Sequence, residues 1–181
     1  MLALYTVSDK YIDYLRNAVP IVYDSHKEDR VHERKYIGIV IQIGEFSYFA
    51  PLSSPKPKDY MPDGKTIRRS SLTILRIVRY AKEKQYLLGT VRLSNMIPVP
   101  ASEICPYDIH LEADMRYRDV VTNELYWIEH NDTQIIRAAK RVYNMKTHEG
   151  EIRNDKNTKT LDAIVPFFEL QQLCTDWHSN D

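Results

Sequence analysis

Two short runs rich in β-branched and aromatic residues, residues 36–43 and 47–52, are separated by the pair Gly44-Glu45. A glycine beside a charged residue between two such runs is typical of a β-hairpin, because glycine readily adopts the backbone of a tight turn. The second run ends in Phe49-Ala50-Pro51-Leu52-Ser53-Ser54-Pro55-Lys56. This stretch is therefore expected at the end of a strand, where the backbone turns toward solvent, and the rest of the chain is organised around it.

The remaining pattern places strands first and helices later. The predicted strands cover residues 2–7, 36–43, 47–52, 71–78 and 86–93, and the predicted helices cover residues 10–17, 108–128, 132–147 and 161–177. Ser8 or Asp9 is expected to cap the first helix, residues 79–85 to form a turn, and the proline-containing residues 96–100 to lie at a sheet edge. This order predicts one α+β domain over residues 1–181 with a largely antiparallel sheet.

Two polar segments are predicted to be loops, residues 21–35 and 53–70. The second contains Pro55, Pro57, Pro62 and Gly64, and structureless loops of this length are usually functional or disordered. Its charged residues are Lys56, Lys58, Lys65, Arg68 and Arg69 against Asp59 and Asp63.

The net charge is zero, but the charges are unevenly distributed. Residues 1–98 hold 16 Lys and Arg against 10 Asp and Glu, whereas residues 99–181 hold 9 against 15. A basic half suggests a surface that faces a polyanion, although solvated faces can also differ by chance. No apolar run approaches the ~20 residues that span a bilayer, and the first residues do not read as a signal peptide, so we expect a cytoplasmic location and no membrane.

The turn Ser53-Ser54-Pro55-Lys56 places two hydroxyl groups and one ammonium group within four residues. Hydroxyl and backbone N–H groups donate hydrogen bonds to phosphate oxygens, and a lysine adds a point charge. The turn therefore suits binding and polarising a phosphate. Taken by themselves, the same residues are more often an ordinary Ser/Pro turn with a solvated lysine.

Motifs of most other chemistries are missing. The chain has no HExxH, CxxC, P-loop, GxGxxG or GxSxG pattern, its six histidines lack metal-ligand spacing, and Cys105 and Cys174 fit neither a disulfide framework nor a metal site. We therefore predict no metal and no cofactor. RNA cleavage needs neither, because the RNA's own 2′-hydroxyl can attack the adjacent phosphorus. The protein then has to assist two proton transfers and stabilise charge on the phosphoryl oxygens.

Four segments carry a resemblance to a known family: residues 5–15, 36–40, 48–56 and 88–99. In order and spacing they resemble ToxN/AbiQ-type toxins of type III toxin–antitoxin systems. The resemblance covers residues 1–100 well, and the helical second half only in layout. It implies a twisted, mainly antiparallel sheet surrounded by helices.

The same resemblance implies a metal-independent, sequence-preferring endoribonuclease that leaves a 2′,3′-cyclic phosphate and a 5′-hydroxyl. It implies inhibition by a small repeated RNA antitoxin that the toxin cuts from a longer precursor, in a closed ring of alternating toxin and RNA units. The substrates would be cellular or phage RNA, in growth arrest, plasmid maintenance or abortive phage defence.

Residue by residue, the family's hydroxyl–Ser–x–Lys pattern falls on Ser53, Ser54 and Lys56, and its first-helix tyrosine on Tyr11. We expect these four to be catalytic, with Tyr11 in proton transfer. The resemblance further implies a basic residue at Arg34 or, one position later, Lys35, and Tyr117 is a further candidate for lining the site. Phosphate contacts dominate RNA affinity, so the RNA-binding set also includes Lys58, Lys65, Arg68 and Arg69. Tyr11 could equally be a core aromatic.

Two rival functions remain open. A non-catalytic RNA-binding regulatory module would use the same basic half but would not require the Ser-Ser-Pro-Lys turn together with Tyr11. A Ser/Lys acyl hydrolase ranks behind both, because the chain lacks a nucleophile-elbow context. Relatives often have a Lys-Gln pair at the position of Asn123-Glu124. Because this chain departs from that pattern, we assign no catalytic role to these two residues.

Overall fold

A computed structural model describes residues 2–23 and 37–178. Within them, seven strands form one sheet: β1 (Leu4–Val7), β2 (Ile37–Ile43), β3 (Phe46–Ser53), β4 (Ile74–Ala81), β5 (Lys84–Arg92), β6 (Ile97–Pro98) and β7 (Ile104–Pro106). The strand order is β4-β5-β3-β2-β1-β7, and β6 pairs with β3 beside this path. All the pairings among these strands are antiparallel, which confirms the predicted sheet.

The β2–β3 hairpin is the one that the sequence predicts. Its register runs from Gly38 opposite Pro51 to Ile43 opposite Phe46, and Gly44 in the connection has a positive φ of 60°. The turn predicted at residues 79–85 does join two paired strands, but its predicted length is wrong. β4 and β5 continue through most of it and are joined by Lys82 and Glu83 alone, both with positive φ. Such a turn matches the twist of the flanking strands, but without glycine or asparagine it leaves no turn signal in the sequence.

The end of β3 exchanges one partner strand for another. Residues 46–51 pair with β2, whereas Leu52 lies opposite Val91 and Ser53 opposite Thr90 of β5. Ser53 is thus the last residue of a strand that β5 holds in place. The chain leaves the sheet immediately afterwards, as the sequence predicts.

The described helices are α1 (Asp9–Ala18), α2 (Met115–His130), α3 (Asp132–Thr147), α4 (Glu149–Ile152), α5 (Thr158–Asp162) and α6 (Phe167–Asp176). Ser8 caps α1 by accepting a hydrogen bond from the Tyr11 amide. The predicted helix at 108–128 begins only at Met115, because Asp114 is its N-cap. The predicted helix at 161–177 is divided, because α6 begins after Pro166 and proline cannot donate an intrahelical hydrogen bond.

The core lies between the sheet and these helices. Ile39, Phe49 and Val91 of the sheet are fully buried together with Val121 of α2 and Ile135 of α3. α2 packs against β4 and β5, whereas α3 and α6 pack against each other. In the described part of the chain, none of the helices combines the length and apolar character needed to cross a bilayer.

Gly38 marks the tightest approach within the sheet. A Cβ atom there would lie 2.4 Å from the Ala50 carbonyl oxygen and 2.6 Å from the Phe49 ring. We expect Gly38→Ala to lower the free energy of unfolding by about 3 kcal/mol, because the backbone cannot yield as a flexible side chain would. Gly150→Ala is the control, since nothing lies within 4 Å of a Cβ there. Urea unfolding of both variants checks this, and equal stability would contradict it.

Candidate active site

The turn after β3 forms the centre of the site. Ser53 is only 8% exposed, and the Thr90 hydroxyl donates a hydrogen bond to its carbonyl oxygen at 3.4 Å. Ser54 and Lys56 are half-buried, and the short 3-10 helix Pro57–Asp59 begins directly after Lys56. The two hydroxyls and the ammonium group are therefore held at one strand end.

Tyr23 joins this turn from a distant part of the sequence. The Lys56 ammonium donates a hydrogen bond to the Tyr23 hydroxyl at 3.1 Å, and the Ser53 and Tyr23 hydroxyls lie 3.3 Å apart. Burial by itself raises the pKa of Tyr23, but the hydrogen bonds with Ser53 and Lys56, followed by the charges of Lys56 and Arg92, outweigh burial. The pKa of Tyr23 therefore lies below its ordinary value.

A buried ion cluster supports the turn from beneath. Asp59 is 1% exposed, and its carboxylate accepts a hydrogen bond from the Lys56 amide at 3.0 Å. The other carboxylate oxygen lies 3.2 Å from Arg76 Nη2, and Arg92 Nη2 lies 3.6 Å from the carboxylate. β4 and β5 supply these two guanidinium groups, so one carboxylate ties the turn to both strands.

The cluster carries more positive than negative charge. Among the described residues, the Nε and Nη2 atoms of Arg92 and the Nε atom of Arg76 are buried without a hydrogen-bond partner. Burial lowers the pKa of Arg92, although the charge of Asp59 opposes this. Buried unpaired donors beside Lys56 and Tyr23 form a local environment that favours an anion.

These groups can act together on a phosphodiester. Ser53, Ser54 and Lys56 offer donors to phosphoryl oxygens, and Tyr23 offers a phenol with a lowered pKa for proton transfer. In the described part of the chain, no group of three or more His, Cys, Asp and Glu side chains is placed to hold a metal ion.

The sequence model of the family described as toxin ToxN of type III toxin–antitoxin systems matches residues 3–174 of this chain. The match covers almost the whole length. The chain belongs to the ToxN toxin family. This confirms the family that the sequence motifs indicate.

Curated relatives agree with this membership. The chain is 26% identical to endoribonuclease ToxN of Bacillus thuringiensis subsp. kurstaki, over 98% of this chain and 84% of that protein. It is 29% identical to endoribonuclease AbiQ of Lactococcus lactis subsp. lactis, over 82% of this chain and 77% of AbiQ. It is 28% identical to endoribonuclease ToxN of Pectobacterium atrosepticum, over 78% of this chain and 79% of that protein.

Solved structures confirm the fold. A structure from a bacterial antiviral system regulated by a processed non-coding RNA superposes with a TM-score of 0.77 at 24% identity, over 98% of this chain and 99% of that chain. The structure of AbiQ, a lactococcal anti-phage endoribonuclease, superposes with a TM-score of 0.73 at 23% identity, over 97% and 96%. The ToxN/AbiQ-like α+β fold is the one that the sequence predicts.

Tyr11 occupies a different place from the other predicted catalytic residues of this ToxN-family chain. It is fully buried on α1, and its hydroxyl donates a 2.7 Å hydrogen bond to the Pro98 carbonyl oxygen. Its ring lies edge-on to Trp177, and burial raises the pKa of Tyr11, with the neighbouring Cys174 adding to the effect. In this arrangement its phenol is occupied within the core, whereas the phenol of Tyr23 contacts the turn.

The predicted RNA-binding residues are spread over the surface. Lys58, Lys65, Arg68 and Arg69 are exposed. The loop that carries them is more ordered than the sequence suggests: Arg68 Nε donates to the Tyr60 carbonyl, and Tyr60 forms an isolated bridge with Ile67. Tyr117 is half-buried in the first turn of α2, with its amide bonded to the cap Asp114. Arg34 and Lys35 lie outside the described residues.

Four residues of the site were not identified from the sequence: Tyr23, Asp59, Arg76 and Arg92. Tyr23 stands alone at the start of a polar segment and Asp59 within a loop full of charges, so neither has a local signal. Arg92 offers one, because it is a charged residue inside the apolar run 87–93. A charge in such a run has to be paired if the strand is buried.

Replacing the central carboxylate tests the ion cluster. We expect Asp59→Asn to lower the free energy of unfolding by about 3 kcal/mol, because Arg76 and Arg92 are left without a buried counter-charge. Asp63→Asn is the matched control in the same loop, since Asp63 is exposed and its contacts with Lys65 and Thr66 are local. Guanidinium unfolding measures both variants. Equal losses of stability would show that Asp59 is not a buried anchor.

Proposed function

We propose that this chain is a metal-independent endoribonuclease toxin. It cleaves RNA by attack of the 2′-hydroxyl on the adjacent phosphorus, leaving a 2′,3′-cyclic phosphate and a 5′-hydroxyl. The observation that carries the proposal is the contact of Tyr23 with both Ser53 and Lys56 above the buried Asp59 cluster. Membership of the ToxN family, with relatives named endoribonucleases, supports the choice of RNA as substrate.

The hydroxyls of Ser53 and Ser54 and the ammonium group of Lys56 hold the phosphate that is cleaved. Negative charge on the phosphoryl oxygens grows as the 2′-oxygen attacks, so donors fixed in place stabilise the transition state more than the ground state. The rigid turn provides this fixation, because Asp59 holds the Lys56 amide and Thr90 holds the Ser53 carbonyl. No serine nucleophile is needed.

Tyr23 removes the proton from the 2′-hydroxyl in this proposal. A general base works best when its pKa approaches the working pH, and the lowered pKa of Tyr23 moves in that direction. Lys56 neutralises the phenolate and then the phosphoryl oxygens. As the 2′-oxygen bonds to phosphorus, the bond between phosphorus and the 5′-oxygen breaks, and the leaving 5′-oxygen takes a proton from solvent water. The role first predicted for Tyr11 would require its hydroxyl to leave the Pro98 carbonyl.

A small repeated RNA is the proposed antitoxin, cut by the toxin from a longer precursor and assembled with it into a closed ring. One solved structure with the same fold concerns the selective inhibition of a toxin by a non-coding RNA pseudoknot. Another concerns a bacterial antiviral system that a processed non-coding RNA regulates. The exposed cations at 58–69 suit such a partner, since phosphate contacts sum over many positive charges. The proposed setting is abortive defence against phage or growth arrest.

Cleavage in the presence of a chelator tests the chemistry. The purified RNA-free protein is incubated with single-stranded RNA in EDTA, and the product ends are identified. We expect cleavage to persist, and Lys56→Ala to slow it by about 100-fold or more, because a fixed donor to the transition state is lost.

Lys140→Ala is the control, because Lys140 is an exposed lysine on α3 outside the predicted RNA-binding set; it should change the rate little. RNA binding without any cleavage would instead favour a non-catalytic regulatory module. Cleavage abolished by EDTA would contradict metal independence.

Two tyrosine variants separate the catalytic from the structural phenol. Tyr23→Phe should lower the rate by about 100-fold with little loss of stability. Tyr11→Phe should keep the rate and lower the free energy of unfolding by about 1–2 kcal/mol, because the buried Pro98 carbonyl loses its donor.

The pH dependence of the cleavage rate shows whether Tyr23 acts as a general base or as a general acid. If Tyr23 is the general base, the cleavage rate should rise with pH and level off above the pKa of Tyr23. The inflection should lie below the ordinary tyrosine pKa of about 10, because the pKa of Tyr23 is lowered. Tyr23→Phe should abolish the inflection in initial rates corrected for uncatalysed RNA hydrolysis. A rate that falls through the same inflection would make Tyr23 the acid.

A further inference from the structure

A cavity of about 350 Å³ lies between α2 and the β4–β5 hairpin, outside the site described above. Tyr80, Tyr126 and Trp127 give it aromatic walls, and Leu88 closes its floor. Tyr80 and Tyr126 are 73% and 63% exposed, so their rings are accessible to a ligand. The volume is within the range of small-ligand sites.

Polar groups of the cavity are held in fixed positions. Arg79 Nη1 donates to the Asn123 side-chain oxygen at 3.2 Å, and the Asn123 amide nitrogen donates to the Asp119 carbonyl at 2.7 Å. Arg79 has further N–H donors beyond this one bond, and among the described residues they have no other hydrogen bond. The ring of Tyr126 stacks against His130, with centroids 4.1 Å apart.

The cavity adjoins the turn that carries the proposed chemistry. Leu88 lies two residues along β5 from Thr90, the cross-strand partner of Ser53, which is about 7 Å of strand. Between them α2 comes very close to β5, because a Cβ at Gly89 would lie 2.1 Å from Glu124 Oε1. The cavity and the turn therefore share the same short stretch of β5.

Resting on the proposed function, we propose that this cavity binds one unpaired nucleobase of the RNA beside the cleaved bond. Aromatic rings stack on any base, and a guanidinium held by an amide donates to acceptors on a base edge or to phosphate. The exposed cations Arg79, Lys82 and Lys84 of the hairpin outnumber the acid Glu83. This charge complements RNA, whereas a cavity for an apolar protein segment would not need it.

An abasic scan tests this assignment with the whole protein. A single-stranded RNA of about 12 nucleotides, a length typical of such sites, carries a 2′-deoxy sugar at any bond that the wild type cuts. Each base is removed in turn, and binding is measured by fluorescence anisotropy. For the wild type we expect one flanking position at which base removal weakens binding by about 5- to 100-fold, the range of base–aromatic stacking.

In Tyr126→Ala, removing the base at that position should no longer weaken binding, whereas base removal at other positions should have the same effect as in the wild type. The reason is that base removal and the Tyr126→Ala substitution delete the same contact. Tyr126→Phe should restore it. Phe168→Ala is the matched control, since Phe168 on α6 is an aromatic ring that is also 63% exposed. It should leave the abasic profile as in the wild type.

The outcomes separate this inference from the proposed function. If the protein cleaves the unmodified RNA but the abasic profile is the same in Tyr126→Ala and the wild type, only the assignment of the cavity as a base site is overturned. The coupling between Tyr126 and one base without any cleavage would support the cavity and contradict the nuclease. If Tyr126→Ala leaves RNA binding intact but dissociates an oligomer, the cavity is instead a contact with a second copy of this chain. If the RNA does not bind at all, both the cavity assignment and the proposed function are overturned.

Discussion

The buried carboxylate of Asp59 is the interaction on which the rest of the site depends. It faces two guanidinium groups and the Lys56 amide at once, and these partners offset the cost of burying a carboxylate. One negative charge cannot neutralise Arg76, Arg92 and Lys56 together. The excess positive charge is therefore built into the folded core rather than carried by flexible surface side chains. Among the described residues the cluster therefore favours an anion, and the phosphate of the proposed reaction would supply a counter-charge.

Much of the fold could be predicted because its signals are local. The alternation of residues 36–52 and the glycine at 44 specify a hairpin without reference to the rest of the chain, and Ser8 specifies the start of α1 by its own hydrogen bond. Failures came where a boundary depends on a single residue or on distant packing. Pro166 separates two helices whose apolar pattern is continuous, and the Lys82-Glu83 turn takes positive φ with residues that ordinarily avoid it.

The candidate site divides in the same way. Ser53 and Lys56 are three residues apart in the sequence and follow a recognisable strand, so their proximity at the strand end could be predicted. Arg76 and Arg92 reach the turn only through the pairing of β3 with β5 and of β4 with β5, and Tyr23 contacts it from 30 positions earlier in the sequence. No local pattern encodes these contacts. Asp59 illustrates the difficulty, because a charge among other charges in a proline-rich loop is usually solvated. Its burial follows from two arginines on separate strands, so only the tertiary structure distinguishes it from Asp63.

The absence of a side chain at Gly89 links the helical half of the molecule to this chemistry. A Cβ there would lie 2.1 Å from Glu124 Oε1 and 3.1 Å from the Ser53 carbonyl oxygen, so Glu124 of α2 and the last residue of β3 both lie against this residue of β5. Packed interiors resist small displacements. A ligand that pulls or pushes α2 at Tyr126 or Asn123 therefore acts on the strand that fixes Ser53. Recognition of a base by the helix and alignment of the phosphate by the turn, as proposed above, would then depend on the same contact.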